Sequence, residues 1–175
     1  MAGFLLINNV LKKVIFPLLV GNSSLSLHKV MHMAKTNVAV RSIIEEVPEQ
    51  INDSEILNYL HTKDVNWKYV SAIRELTDFN DNVISDWLNL SVKTLREYRK
   101  PESTFKENVK EHVLVLLTLI KHGIDAFGSQ GEFESWLSTD NFYFDNRQPA
   151  TFLNTVTGIK FVNDRLTAME LGDNV

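Results

Sequence analysis

The stretch that decides the fold lies past the middle of the chain, where residues 107–122 read ENVKEHVLVLLTLIKH. Val109, Val113, Leu116 and Ile120 recur at helical spacing, and further leucines and valines widen this apolar stripe almost all the way round. A helix that is apolar on most sides is buried between partners. We therefore expect residues 107–123 to form a buried connecting helix. Gly123 would follow its last turn, because glycine is favoured just beyond a helix end.

Four shorter segments with helical spacing precede this connecting helix, each behind a residue that suits a helix cap. Asn52 precedes the first, Asp64 the second, Asn80 or Asp81 the third, and Ser91 the fourth. Pro101 stops the fourth segment. The side chains expected to face inward are Ile56, Leu57, Leu60, Trp67, Val70, Ile73, Leu76, Val83, Ile84, Trp87, Leu88, Val92, Leu95 and Tyr98.

The segments after the connecting helix are also short. Ser129 and Glu132 form a capping box ahead of Phe133, Trp136 and Leu137, and residues 141–147 are expected to form a loop. Pro149 suits the first position of another short helix that Gly158 would end. A final amphipathic helix is marked by Ile159, Val162, Leu166 and Met169 and closed by Gly172. No segment alternates with a period of two for long, so the predicted fold class is all-α.

Residues 81–99 have the spacing of a helix-turn-helix. Ser85 is small where the second helix crosses the first, and Asn89 stands at the turn, where a residue that tolerates positive φ is required. In this geometry the amino-terminal part of the second helix enters the major groove of DNA. Arginine pairs with guanine, and lysine, serine and threonine reach phosphates or bases. The candidate DNA-binding residues are therefore Ser91, Lys93, Thr94, Arg96 and Arg99.

Charge is distributed unevenly along the chain. The formal net charge is −4, yet residues 93–110 contain six basic and three acidic residues. An acidic chain argues against non-specific binding of polyanions, but it leaves room for a local basic face. A solvated helical hairpin that never meets DNA remains the alternative interpretation of residues 81–99.

The first 33 residues differ from the rest. Their apolar stretches are interrupted by Lys12 and Lys13 and by Pro17, which suits neither a membrane span nor a signal peptide. A membrane-surface helix, a targeting segment or a start codon placed too early remain as interpretations. We favour translation from Met31 or Met33 and attach no function to residues 1–33.

Composition limits the chemistry. A chain of 175 residues with 44% hydrophobic residues is long enough for a packed core, and it has no cysteine, which excludes disulfide and thiolate chemistry and fits the cytoplasm. His28 and His32 have no third ligand nearby, and no group of residues has the spacing of a catalytic or cofactor site. We expect no enzyme, no metal and no cofactor.

The carboxy-terminal residues form an ordered set that resembles a known family. The set consists of Ala126-Phe127-Gly128-Ser129, Trp136-Leu137, Asn141, Arg147-x-Pro149, Phe152-Leu153-x-Thr155, Gly158, Val162 and Leu166. It is similar to the toxin-binding domain of Xre/MbcA/ParS antitoxins, which follows a helix-turn-helix in that family. Asn146 stands where the family usually has glycine, and the aromatic run Phe142–Phe144 and Ala150 are less typical.

The resemblance implies an antitoxin of a type II toxin–antitoxin system. Its toxin would be co-encoded and usually of the RES-domain type, which consumes NAD. The carboxy-terminal domain would cover the active-site entrance of the toxin, and the helix-turn-helix would repress the shared operon, as a homodimer on two half-sites. The domains would be a leader (1–33), a helix-turn-helix domain (34–106), the connecting helix (107–123) and a toxin-binding domain (124–175).

Loops and termini are free to reach a partner, whereas Trp136, Phe152, Leu153 and Val162 are expected to pack in the core. The candidate toxin-binding residues are therefore Phe144, Asp145, Asn146, Arg147, Leu171 and Gly172. Residues 125–175 contain three basic and eight acidic residues, so an acidic surface facing a basic toxin cleft is one interpretation and a solvated face another.

Two other functions remain open. The chain would instead be a stand-alone transcription regulator if its carboxy-terminal domain served dimerisation or another ligand. A membrane-associated protein, driven by residues 1–33, is the third hypothesis. A toxin encoded next to the gene would distinguish the first function from these two.

Overall fold

A computed structural model describes residues 38–172, and the leader predicted at residues 1–33 lies outside them. Within the described residues the chain forms eight α-helices and no strand, which confirms the all-α prediction. We label the helices α1 (Val38–Glu46), α2 (Asp53–Thr62), α3 (Trp67–Leu76), α4 (Asp81–Trp87), α5 (Val92–Glu97), α6 (Glu107–Phe127), α7 (Gln130–Leu137) and α8 (Val156–Glu170). Two 3₁₀ turns, Phe142–Phe144 and Pro149–Phe152, lie between α7 and α8.

Helix α6 is the centre of the fold. Every residue from His112 to Ile120 is buried, as the apolar composition of this stretch predicts. Helices α2, α3, α7 and α8 all pack against α6, and α1 packs on α3. These four helices are thus held by a common buried partner, which short helices need for stability.

The predicted caps largely form. Asn52 accepts hydrogen bonds from the backbone N–H groups of Ser54 and Glu55, at 3.0 and 3.3 Å. Asn80 caps α4, Ser91 caps α5, and Ser129 caps α7 by accepting from the N–H of Glu132 at 3.2 Å. These motifs act within one turn of the chain, which is why the sequence reveals them.

Two details at the amino-terminal helices correct the sequence analysis. Helix α3 is capped by Asn66, whose side chain accepts from the N–H of Lys68, and Asp64 instead accepts a hydrogen bond from the Asn66 amide. In α2 the predicted core residue Leu57 is 56% exposed, whereas Tyr59 is buried. The Tyr59 hydroxyl shares a 3.0 Å hydrogen bond with the hydroxyl of Tyr69 on α3, so the buried face of α2 is turned toward that helix.

Two glycines lie inside helices rather than at their ends, contrary to prediction. Helix α6 continues four residues beyond Gly123 and ends at Gly128, which has φ +75°. A Cβ at Gly123 would overlap the ring of Phe133, and a Cβ at Gly158 would overlap the carbonyl oxygen of Phe152. Both glycines are therefore places of close approach, where any side chain would push another element away.

Polar contacts tie the carboxy-terminal elements to the rest. Glu134 on α7 accepts a 3.0 Å hydrogen bond from the N–H of Asp78, and Lys160 on α8 pairs with Asp53 on α2. His112 on α6 contacts the carbonyl oxygen of Leu153 at 3.0 Å. Burial lowers the pKa of His112, so the neutral imidazole donates this bond.

Candidate functional site

Helices α4 and α5 form a tight hairpin. Its turn contains Asn89 with φ 52°, the left-handed conformation predicted at this position. The N–H of Leu90 donates to the carbonyl of Ser85 at 2.8 Å, and the N–H of Leu88 donates to Ile84 at 3.0 Å. The turn is thus closed by backbone hydrogen bonds that an asparagine in this conformation allows.

The inner side of the hairpin is closely packed. Ile84, Ser85, Leu88 and Leu95 are all buried, and the Ser85 hydroxyl donates to the carbonyl of Asn82 at 2.9 Å. A small residue at position 85 therefore lets the second helix approach the first. The backbone and packing agree with what a helix-turn-helix requires.

The five candidate DNA-binding residues divide into two groups. The hydroxyls of Ser91 and Thr94 lie 2.8 Å apart, and the Ser91 oxygen also accepts from the N–H of Thr94 at 3.0 Å, so both residues serve the cap of α5. Lys93, Arg96 and Arg99 are exposed. The three cations in and just after α5 are therefore exposed to solvent and accessible to a ligand.

Asp81, at the start of α4, organises the arginines near α5. Its carboxylate lies 3.1 Å from Nη1 of Arg74 and 3.6 Å from Nε of Arg96. Arg99 lies over the ring of Trp67, 5.4 Å from its centroid. Sequence reasoning missed Arg74 and Trp67, because they belong to α3 and reach the hairpin only through the tertiary fold.

The loop between α7 and the second 3₁₀ turn is held rigidly. Asn141 and Arg147 form an antiparallel bridge, and the Asn141 side chain accepts from the N–H of Tyr143 at 2.9 Å. Asp145 and Asn146 both have φ 55°. Asn146, which stands where the resembled family usually has glycine, thus adopts the left-handed conformation, and the preceding residue shares it.

One candidate toxin-binding residue is wrongly placed by the sequence analysis. Phe144 is buried, with its ring 5.9 Å from that of Trp136, 5.5 Å from Phe152 and 5.3 Å from Phe161. A 3₁₀ turn has three residues per turn, so its three side chains point in different directions, and only Phe144 points inward. Phe144 is therefore a core residue.

The other candidates lie on the surface. Asp145, Asn146, Arg147 and Gly172 are exposed, and Leu171 is 81% exposed. Sequence reasoning left out the two aromatic residues beside Phe144: Phe142 is 79% exposed and Tyr143 is also exposed. The run of three aromatic residues at 142–144 does not by itself show which ring points outward.

The buried end of α6 carries a polar contact to α8. The ring of His122 lies with Nδ1 2.8 Å from Oδ1 of Asn163 and Nε2 2.6 Å from the carboxylate of Glu170. This contact fixes the last turn of α8, next to Leu171 and Gly172. In the described part of the chain no three histidine, aspartate or glutamate side chains come together as a metal site.

The residues that carry the sequence resemblance have definite structural roles. Gly128 ends α6 in the left-handed conformation, Ser129 caps α7, and Pro149 begins the second 3₁₀ turn. Thr155 caps α8 by accepting a 3.0 Å hydrogen bond from the N–H of Gly158. The resemblance therefore rests on positions that determine how the carboxy-terminal helices begin and end.

Comparison with known families agrees with this arrangement. Residues 122–172 match the family described as the antitoxin Xre/MbcA/ParS C-terminal toxin-binding domain. This segment is therefore similar to the toxin-binding domain of those antitoxins. A domain of this kind indicates an antitoxin of a toxin–antitoxin system, with a cognate toxin as its partner.

No curated protein matches the sequence. The family match starts at His122, inside α6, and does not include the α4–α5 hairpin. None of the helices between residues 38 and 172 has the length and apolar character needed to cross a bilayer.

Proposed function

We propose that this protein is an antitoxin that blocks a co-encoded RES-type toxin through residues 124–175 and represses its own operon through the α4–α5 hairpin. It acts in the cytoplasm without a cofactor and binds operator DNA as a homodimer. The match of residues 122–172 to a toxin-binding domain is the single observation that carries this proposal. The RES type of the toxin and the covering of its NAD-consuming site follow from the family resemblance.

The geometry of the hairpin supports the DNA-binding half. The amino terminus of α5 is capped and exposed, and Lys93 and Arg96 lie in its first turns with their side chains in solvent. In a helix-turn-helix this end of the second helix enters the major groove. Arg96 is oriented by Asp81, which limits the side-chain entropy that it loses when it binds a base or a phosphate.

The position of the Arg74 guanidinium supports a contact with the phosphate backbone of DNA beside α5. Arg74 shares the Asp81 carboxylate with Arg96, so the two guanidinium groups lie on the same side of the hairpin. Half or more of the hydrogen bonds in protein–DNA complexes go to phosphates and sugars. We therefore assign Arg74 to a phosphate next to the base that Arg96 reads.

A growth experiment tests the proposal. The product of the adjacent open reading frame is expressed alone and together with the full-length chain, and cellular NAD is measured in both cultures. We expect growth arrest and NAD loss when the neighbour is expressed alone, and recovery of both with this chain. A harmless neighbour would support the stand-alone regulator instead, and arrest without NAD loss would exclude a RES-type toxin.

A further inference from the structure

Exposed apolar side chains are concentrated in the carboxy-terminal part of the protein. Among the described residues six large hydrophobic side chains are exposed, and four of them lie between positions 142 and 171: Phe142, Tyr143, Met169 and Leu171. Exposed apolar groups that lie together mark interaction sites in soluble proteins. Phe142 is the most informative of them, because a phenylalanine that is 79% exposed gains nothing from the fold of its own chain.

Phe142 belongs to a continuous surface. Its ring lies 5.8 Å from that of Tyr143, and the rings of Phe152 and Phe161 lie 5.5 Å apart. Two arginines join these rings, as Arg165 lies over both Tyr143 and Phe161, and Arg147 lies over Phe152. We call this surface the aromatic–arginine strip; it consists of Phe142, Tyr143, Arg147, Phe152, Phe161 and Arg165.

The two arginines of the strip are held in place by rings. Arg165 lies 5.7 Å from the centroid of Tyr143 and 5.6 Å from that of Phe161, and no carboxylate in residues 38–172 lies within ion-pair distance of it. Arg147 lies 4.5 Å from the centroid of Phe152 and 3.5 Å from a carboxylate oxygen of Asp145. A guanidinium that lies over a ring keeps its N–H groups, which point outward in the plane of the guanidinium, available to a carboxylate.

Two acidic residues of this domain have their partners outside the strip. Glu134 is engaged with the N–H of Asp78 and the amide of Gln130, and Glu170 contacts His122. Within residues 38–172 only Asp145 pairs with an arginine of the strip, at the long distance of 3.5 Å. The local chemistry of the strip is thus aromatic and cationic within a domain whose net charge is negative.

The strip is also preorganised. Buried Phe144 supports it from below through Phe152 and Phe161, and the Asn141–Arg147 bridge fixes the loop that presents Phe142. A surface that is rigid before binding loses little conformational entropy on association. Aromatic residues and arginine are enriched at the centres of protein interfaces and contribute most of their binding energy.

We propose that the aromatic–arginine strip is the centre of the toxin interface, with Phe142 in an apolar pocket of the toxin and Arg165 and Arg147 paired with carboxylates at the rim of that pocket. This rests on the proposed antitoxin function. It departs from an acidic surface facing a basic cleft, because the strip consists of rings and guanidiniums, and Arg165 has no ion pair with a carboxylate in residues 38–172. The partner surface is therefore apolar at its centre and acidic at its edge.

The test measures the dissociation constant between the full-length chain and the purified product of the adjacent gene by titration calorimetry. We expect Phe142→Ala and Arg165→Ala each to weaken binding by about 30-fold or more, as truncation of central interface residues does. Arg165→Lys should recover little, since a lysine lacks the planar fork. Leu57→Ala, which removes an exposed apolar side chain from α2, is the matched control and should change affinity less than 2-fold.

The possible outcomes distinguish a failure of the proposed strip interface from a failure of the proposed antitoxin function. Tight binding by the wild type together with unchanged affinity of the Phe142→Ala and Arg165→Ala variants would overturn the strip and leave the antitoxin function intact. Absence of binding by the wild type would overturn both. If Phe142→Ala dissociated a dimer of this chain and left toxin affinity unchanged, the strip would be a surface between two copies, and the proposal would be wrong.

Discussion

The α4–α5 hairpin exposes Lys93, Arg96 and Arg99, whereas the carboxy-terminal segment 141–172 exposes Phe142, Met169 and Leu171. In the hairpin the apolar side chains Ile84, Leu88 and Leu95 are buried. In the carboxy-terminal segment rings remain outside, and arginines lie over them. Exposed cations suit phosphates, whereas exposed rings with arginines over them suit another protein. The two surfaces therefore fit two partners of different chemistry.

The largest expected effect is a difference in stability between two variants of the aromatic run Phe142–Phe144. Phe144→Ala removes a buried ring and should lower the free energy of unfolding by about 3–5 kcal/mol. Phe142→Ala, two residues away, removes an exposed ring and should stay within about 0.5 kcal/mol of the wild type. Urea unfolding measures both. Equal losses for the two variants would contradict the division of this turn into a core side and a surface side.

A second contrast compares an arginine of the α4–α5 hairpin with an arginine of the aromatic–arginine strip. Arg96→Ala should weaken binding to operator DNA by about 1–3 kcal/mol if the side chain reads a base. Arg96→Ala should leave the affinity for the toxin unchanged. Arg165→Ala should weaken toxin binding and leave the affinity for DNA unchanged. DNA affinity and its salt dependence are measured by fluorescence anisotropy with a labelled operator fragment. An unchanged affinity and salt slope for Arg96→Ala would remove this residue from the DNA contact.

A third contrast uses two glycines to test how closely the carboxy-terminal helices pack on α6. Gly123→Ala places a methyl group in the ring of Phe133 and should destabilise the fold by about 1–3 kcal/mol. At Gly131, on α7, nothing lies within 4 Å of an added Cβ, so Gly131→Ala should be neutral or stabilise by roughly 0.5 kcal/mol. Thermal unfolding distinguishes the two. A harmless Gly123→Ala would mean that α7 does not approach α6 this closely.

The smallest expected effect concerns pH. Burial lowers the pKa of His112 below its usual value of 6.5, so below that pH the unfolded chain binds a proton that the folded chain excludes. The contribution of this group to stability is therefore complete above pH 6.5 and is lost as the pH falls. His112→Gln keeps an N–H donor for the carbonyl of Leu153 but does not titrate. We expect the variant to lose less stability than the wild type between pH 7.5 and pH 5.5, measured by urea unfolding, and equal losses would contradict this.

Local features were predictable from the sequence. Asn52, Asn80, Ser91 and Ser129 cap helices because their side chains reach N–H groups two or three residues away. The positive φ at Asn89 followed from the length of the turn. The buried position of α6 was predictable from its apolar composition, because a helix that is apolar on most sides is buried between other elements.

Features that depend on tertiary contacts were missed. Gly123 and Gly158 were interpreted as helix ends, whereas each makes room for another element. Residues 142–144 are all aromatic, and the sequence does not say which ring points inward, so Phe144 was placed on the surface. Asp81 brings Arg74 and Arg96 together across two helices, and no spacing in the chain indicates this.

The mass of the complex formed with the neighbouring gene product tests the central claim most directly. The full-length chain is co-expressed with that product, purified through a tag on this chain and weighed by native mass spectrometry. We predict a stoichiometric complex of the two proteins, formed with a neighbour that is toxic when expressed alone. Recovery of this chain by itself, beside a harmless neighbour, would contradict the antitoxin account.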